Sequence, residues 1–137
     1  MPNRKRLALF AILVSVIFTV NCNTVMDLFS GAVYESQYVP TEEDLIDTRW
    51  IIVYHAPNEG DREYYLIFHE NGVLENTHPN DKTHDNDTWA LEGSEIVIRF
   101  NDGYAVYRGT FSDRDAMAGT ATNKVGESWE WTASRQK

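Results

Sequence analysis

The sequence predicts an all-β protein, an eight-stranded antiparallel up-and-down barrel, and three observations predict it. From Asp47 onward apolar and polar residues alternate with a period of two. The alternating segments recur at the 8–12-residue spacing of a barrel or sandwich and end at Gly, Asn or Asp. Every connection from the second strand onward is short except 79–86, so consecutive strands pair with each other and the chain runs up and down.

Two segments precede the barrel. Asn3, Arg4, Lys5 and Arg6 make a basic opening, followed by the uncharged run Leu7–Val20, in which only Ser15 and Thr19 are polar. Fourteen helical residues would span about 21 Å, short of the roughly 30 Å hydrocarbon core, so 1–21 reads as a secretory leader and not as a membrane span. The run ends on Cys22, the one cysteine of the chain. Thr19-Val20-Asn21-Cys22 resembles the lipobox of bacterial lipoproteins, in which the cysteine becomes the acylated first residue. An unpaired thiol in an oxidising compartment needs a reason, and acylation supplies one. The expectation is a lipid anchor on Cys22 at a bacterial cell envelope, on the outer membrane and either periplasmic or surface-exposed; plain secretion and an uncleaved anchor are the alternatives. Residues 22–46 form a tether, with a loose helical spacing from Asn23 to Tyr38. Pro40 followed by Thr41-Glu42-Glu43-Asp44 predicts a short capped turn of helix with acids at its positive end.

The barrel domain, 47–135, is expected to hold strands near 48–55, 62–69, 73–78, 87–91, 95–100, 104–111, 116–123 and 127–135. Asn71-Gly72 and Asp102-Gly103 are primed-turn dipeptides, and Gly93-Ser94, Asp113-Arg114 and Val125-Gly126 mark three more tight turns. In the last strand Trp129, Trp131, Ala133 and Arg135 share a face. Small residues at Gly119 and Ala121 leave room for the neighbouring tryptophans. Arg135 is expected to lie across Trp50 and close one end of the barrel. In the first two strands both faces are apolar, so the outer patch of Ile51, Val53, Tyr65 and Ile67 calls for a cover, either residues 25–39 or a partner.

All 21 acidic residues but only nine of the twelve Lys and Arg fall from Cys22 onward, a net charge of −12. That argues against nucleic acid or an anionic membrane surface as a partner, because both need clustered Lys or Arg. Four Trp, seven Tyr and six Phe supply a core without disulfides.

Asp47-Thr48-Arg49-Trp50 opening the first strand, the eight-strand meander, and Arg135 ending the last strand together resemble the lipocalins and the broader calycin superfamily. Tyr65-Leu66-Ile67-Phe68, Asn71-Gly72, Trp89-Ala90-Leu91-Glu92-Gly93, Gly119-Thr120-Ala121 and Trp129 are similar to its small bacterial members. The resemblance covers 47–135 and implies a barrel that carries a small ligand at its open end.

Bulky inward residues are expected to fill the lower barrel and leave at most a shallow mouth pocket. Tyr54, Phe68 and Tyr107 are the expected lining, with Trp131 as its floor. The loop His78–Asp87 holds two His and three Asp, and Asp81, Thr83, Asp85, Asp87 and Glu92 fit an EF-hand register, although Asn86 replaces the turn glycine. It is expected to be a solvated acidic loop with no metal. His55 and His69 fall at strand ends as ordinary half-exposed imidazoles. No nucleophile elbow, phosphate loop or zinc-protease motif occurs, and neither an enzymatic activity nor a cofactor is expected. Two functions remain: an envelope protein holding a small apolar or aromatic ligand, or a filled barrel that binds a protein, such as a protease or lysozyme inhibitor or an assembly accessory subunit.

Overall fold

The structure, a computed structural model, describes residues 38–83 and 85–137. The leader, Cys22 and residues 25–37 of the segment expected to cover the outer patch lie outside the described residues; of its last two residues, Tyr38 packs against Phe111 at 6.1 Å and Val39 is exposed. One turn of helix, α1 (Glu42–Leu45), leads into eight strands: β1 (Thr48–Ala56), β2 (Gly60–Phe68), β3 (Leu74–Asn76), β4 (Thr88–Glu92), β5 (Glu95–Phe100), β6 (Ala105–Asp113), β7 (Ala116–Asn123) and β8 (Ser128–Arg135). They form one antiparallel sheet in the order β3-β2-β1-β8-β7-β6-β5-β4. The sheet curls into a nearly closed barrel. Its seam is a single bridge, Val73 to Thr88, beside a hydrogen bond of 3.1 Å from the Leu74 N–H to the Asp87 carbonyl.

The turn residues set the hairpins. Asp102 and Gly103 both have positive φ, and the Tyr104 N–H closes the turn on the Asn101 carbonyl at 3.1 Å, the primed geometry that suits twisted strands. Asn71 and Gly72 also have positive φ, at 60° and 72°. A Cβ on Gly72 would lie 2.8 Å from the Trp89 carbonyl oxygen, so this glycine also lets the β2–β3 turn press against β4 at the seam. The turn expected at Asp113-Arg114 falls one residue later, at Arg114-Asp115, because the β6–β7 register shifts between Phe111 and Asp113.

Parity decides the faces. Trp50, Ile52, Leu66, Phe68, Ile96, Ile98, Phe111 and Met117 fill the interior, each at most 2% exposed. One end is sealed. The Trp50 ring meets Phe68 and Phe111 edge-on at 6.4 and 6.0 Å, and its indole N–H donates to the Thr48 hydroxyl at 2.9 Å. The Arg135 guanidinium lies over the Trp50 ring, 5.8 Å from its centre, and donates to the Asp44 carbonyl, which ties α1 to the barrel end. The Asp44 carboxylate in turn accepts from the Thr41 N–H at 3.0 Å and the Thr41 hydroxyl at 2.9 Å, the capped turn that the sequence predicts.

On the outer face Ile51, Tyr65 and Ile67 are half-buried and Val53 is exposed. The Arg49 guanidinium stacks on the Tyr65 ring at 3.7 Å, so a cation of the same face covers part of the apolar patch.

Candidate functional site

The end opposite α1 is open. Antiparallel pairing brings the end of β1, the start of β2, the end of β5, the start of β6, the end of β7 and the start of β8 to one level. A cavity of about 290 Å³ sits there. Its walls are rings that the inward parity of those strand ends delivers: Tyr54, Tyr64, Phe100, Tyr107 and Trp129. Tyr54 touches Tyr64, Tyr107 and Trp129 at 5.8–6.0 Å between centroids, and Tyr107 meets Phe100 at 5.0 Å. The Trp129 indole N–H donates to the Tyr107 hydroxyl at 3.2 Å. Burial pushes the phenols of Tyr54, Tyr64 and Tyr107 up. The belt therefore offers neutral hydroxyls that both donate and accept.

The rim is polar and held in place from behind. Asn76 occupies the inward position of β3 after Leu74, where the sequence pattern would place an apolar residue, and it is 7% exposed. Its amide donates to the carboxylates of Asp81, at 2.9 Å, and Asp87, and its carbonyl accepts from the His78 N–H at 2.8 Å. Asp87 also accepts from the Asn101 N–H at 2.7 Å. One buried amide thus fixes the long 77–87 connection to the barrel and to the β5–β6 turn. Burial raises the Asp87 carboxyl above its ordinary range, with the Asn101 and Asn76 hydrogen bonds opposing the shift. Across the mouth, Asn123 does a similar job: it donates to Glu127 at 2.7 Å and accepts from the N–H groups of Val125 and Glu127. His78 packs edge-on against Tyr64 at 4.8 Å, accepts the Asn80 N–H on Nδ1 and turns Nε2 toward Glu59 at 3.6 Å.

Of the four residues expected to line the pocket, Tyr54 and Tyr107 do so. Phe68 does not. It pairs with Thr48 at the start of β1 and packs on Trp50 and Trp89 at the sealed end. Parity turns it inward, but antiparallel register puts the last residue of β2 level with the first of β1. Trp131 is not the floor either. It lies a layer deeper, 5.8 Å from Tyr107, which covers it. Tyr64, Phe100, Asn76, Trp129, His78, Glu59, Asp81 and Glu127 complete the site. The signals for the first three were present in the sequence: inward parity for the rings, and a lone polar residue at an inward position for Asn76.

The EF-hand spacing does not assemble. Glu92 is drawn into an outer-face ion network with Arg108 at 3.1 Å and Arg99 at 3.5 Å, while Asp81 and Asp87 are held by Asn76. His84 lies outside the described residues. His55 pairs with Asp61 at 2.7 Å, and His69 with Glu75 at 3.1 Å, both on the outer surface. The chain matches no family model, no curated protein and no solved structure.

Proposed function

We propose that the protein is a non-enzymatic binding barrel that holds one small aromatic or apolar ligand at its mouth, tethered to a bacterial cell envelope through acylated Cys22. The observation that carries this reading is the mouth cavity of about 290 Å³ walled by aromatic rings above a filled lower barrel. Ligand sites begin at roughly 300 Å³, so the space suits a single ring system and has no room for a long acyl chain. The resemblance of residues 47–135 to small bacterial lipocalins supports the same function. The anchor rests on the short apolar run that ends at a lone cysteine.

Titrating ¹⁵N-labelled full-length protein with indole, and separately with palmitate, tests the binding. Indole is expected to shift the Trp129 side-chain signal saturably while the signals of Trp50, Trp89 and Trp131 hold, and palmitate is expected to leave Trp129 unmoved. Saturable palmitate binding that shifts Trp131 would overturn it. A second reading, a barrel that binds a protein at the same mouth, has one observation in its favour. Tyr104 and Val125 are exposed on neighbouring rim loops, which the Lys124 N–H joins to the Tyr104 carbonyl at 2.9 Å. Tyr104→Ser with Val125→Ser would then abolish capture of the partner.

A further inference from the structure

The charges around the aromatic belt narrow the ligand class. Among the described residues, three carboxylates, Glu59, Asp81 and Glu127, line the cavity, and no Lys or Arg does. Glu59 is partly compensated, with the Arg62 Nε at 3.4 Å. Asp81 and Glu127 are not paired with a cation among the described residues; each is met by an uncharged amide, from Asn76 at 2.9 Å and Asn123 at 2.7 Å. An amide satisfies one lone pair and leaves the charge. The mouth therefore concentrates negative potential over low-dielectric aromatic walls, which strengthens its hold on a cation. The walls act in the same direction, because the faces of Tyr and Trp rings carry the negative lobe of the quadrupole and attract ammonium groups. An anionic ligand would meet three carboxylates of which only Glu59 has a counter-ion, and a long apolar one would strand them beside hydrocarbon.

We propose that the pocket selects a small protonated aromatic amine, with its ring in the Tyr54–Tyr107–Trp129 belt and its ammonium toward Glu127 and Glu59. This rests on the binding function proposed above and adds charge selection to it. The size agrees: about 290 Å³ lies at the lower end of small-ligand pockets, which suits a fused ring with a short side chain reaching the rim.

Three probes of one shape and different charge test it: tryptamine, its neutral counterpart tryptophol, and indole-3-acetate, each titrated into ¹⁵N-labelled full-length protein with the Trp129 side-chain signal as readout. Tryptamine is expected to bind at least tenfold more tightly than tryptophol, and indole-3-acetate more weakly than either. Glu127→Gln is expected to cut the amine-to-alcohol ratio at least threefold, and Glu59→Gln, in an exposed turn, to act in the same direction. Raising salt is expected to weaken tryptamine alone. If tryptophol or indole-3-acetate binds as tightly as tryptamine, charge selection is wrong and the binding function stands. If none of the three moves Trp129, both fall.

Discussion

Gly109 sits inside β6 facing Gly119 of β7, and the structure makes the cost of a methyl group there calculable. A Cβ at Gly109 would lie 2.6 Å from Cζ2 of Trp131 and 2.6 Å from the carbonyl oxygen of Ala118, contacts that force something to move. In an ordinary strand Gly→Ala stabilises by about 0.4–1 kcal/mol, because the unfolded chain loses freedom. Overpacking a filled core costs about 1–3 kcal/mol. The clash outweighs the entropy, and Gly109→Ala should destabilise by about 1–2 kcal/mol. For a domain of this size that lowers Tm by roughly 4–8 °C per kcal/mol. Urea unfolding followed by tryptophan fluorescence measures it as a lower midpoint with an unchanged slope. The double variant Gly109→Ala with Trp131→Phe isolates the cause. The smaller ring removes the atom that the methyl would strike, so the methyl should cost less in the Phe background than in the wild type. If Gly109→Ala is neutral or stabilising, Trp131 does not pack against this glycine and the description of the filled lower barrel is wrong.

Three further outcomes are expected. Arg135→Ala should cost about 1–3 kcal/mol in urea unfolding and red-shift the Trp50 emission, since it removes both the stacked cation and the donor to the Asp44 carbonyl; an unchanged midpoint and spectrum would contradict the sealed end. The folded protein holds the Asp87 proton to higher pH than the unfolded chain does, so through this group stability falls as pH rises from 3.8 to the raised folded value. Asp87→Asn should remove that slope, so wild-type minus variant stability should decline across the window; it should also cost about 1–3 kcal/mol by setting an amide against the Asn76 amide, and a flat or rising difference would count against the buried staple. Cys22→Ser should move the protein from the membrane to the soluble fraction, whereas a variant that stays membrane-bound would show that the anchor lies elsewhere.

The strands and their faces were legible because the information is local: a period of two, and turn dipeptides such as Asp102-Gly103 whose positive φ suits Gly and Asp. The Trp50–Arg135 closure was also legible, since the two residues share inward parity and β1 pairs with β8 at that level. Height along the barrel was not read from parity. Phe68 and Tyr54 are both inward, but only the β1–β2 register, Thr48 against Phe68 and Ala56 against Gly60, puts them at opposite ends. The rim was harder still. Asn76 and Asp87 are eleven residues apart across an irregular connection, and Glu59, Asp81 and Glu127 come from three different loops. No periodicity links them. The net charge of the domain was legible, but its convergence on one mouth comes only from strand order.

Native mass spectrometry of the mature protein purified from its source tests the central claim most directly, because it weighs the proposed anchor and the occupant together. The account predicts a chain beginning at an acylated Cys22 that carries one noncovalent partner of small-molecule mass and no long-chain lipid beyond the acyl groups on sulfur and the amine. One fatty acid or phospholipid held per barrel would contradict it, since a filled lower barrel beneath a cavity of about 290 Å³ has no room for one.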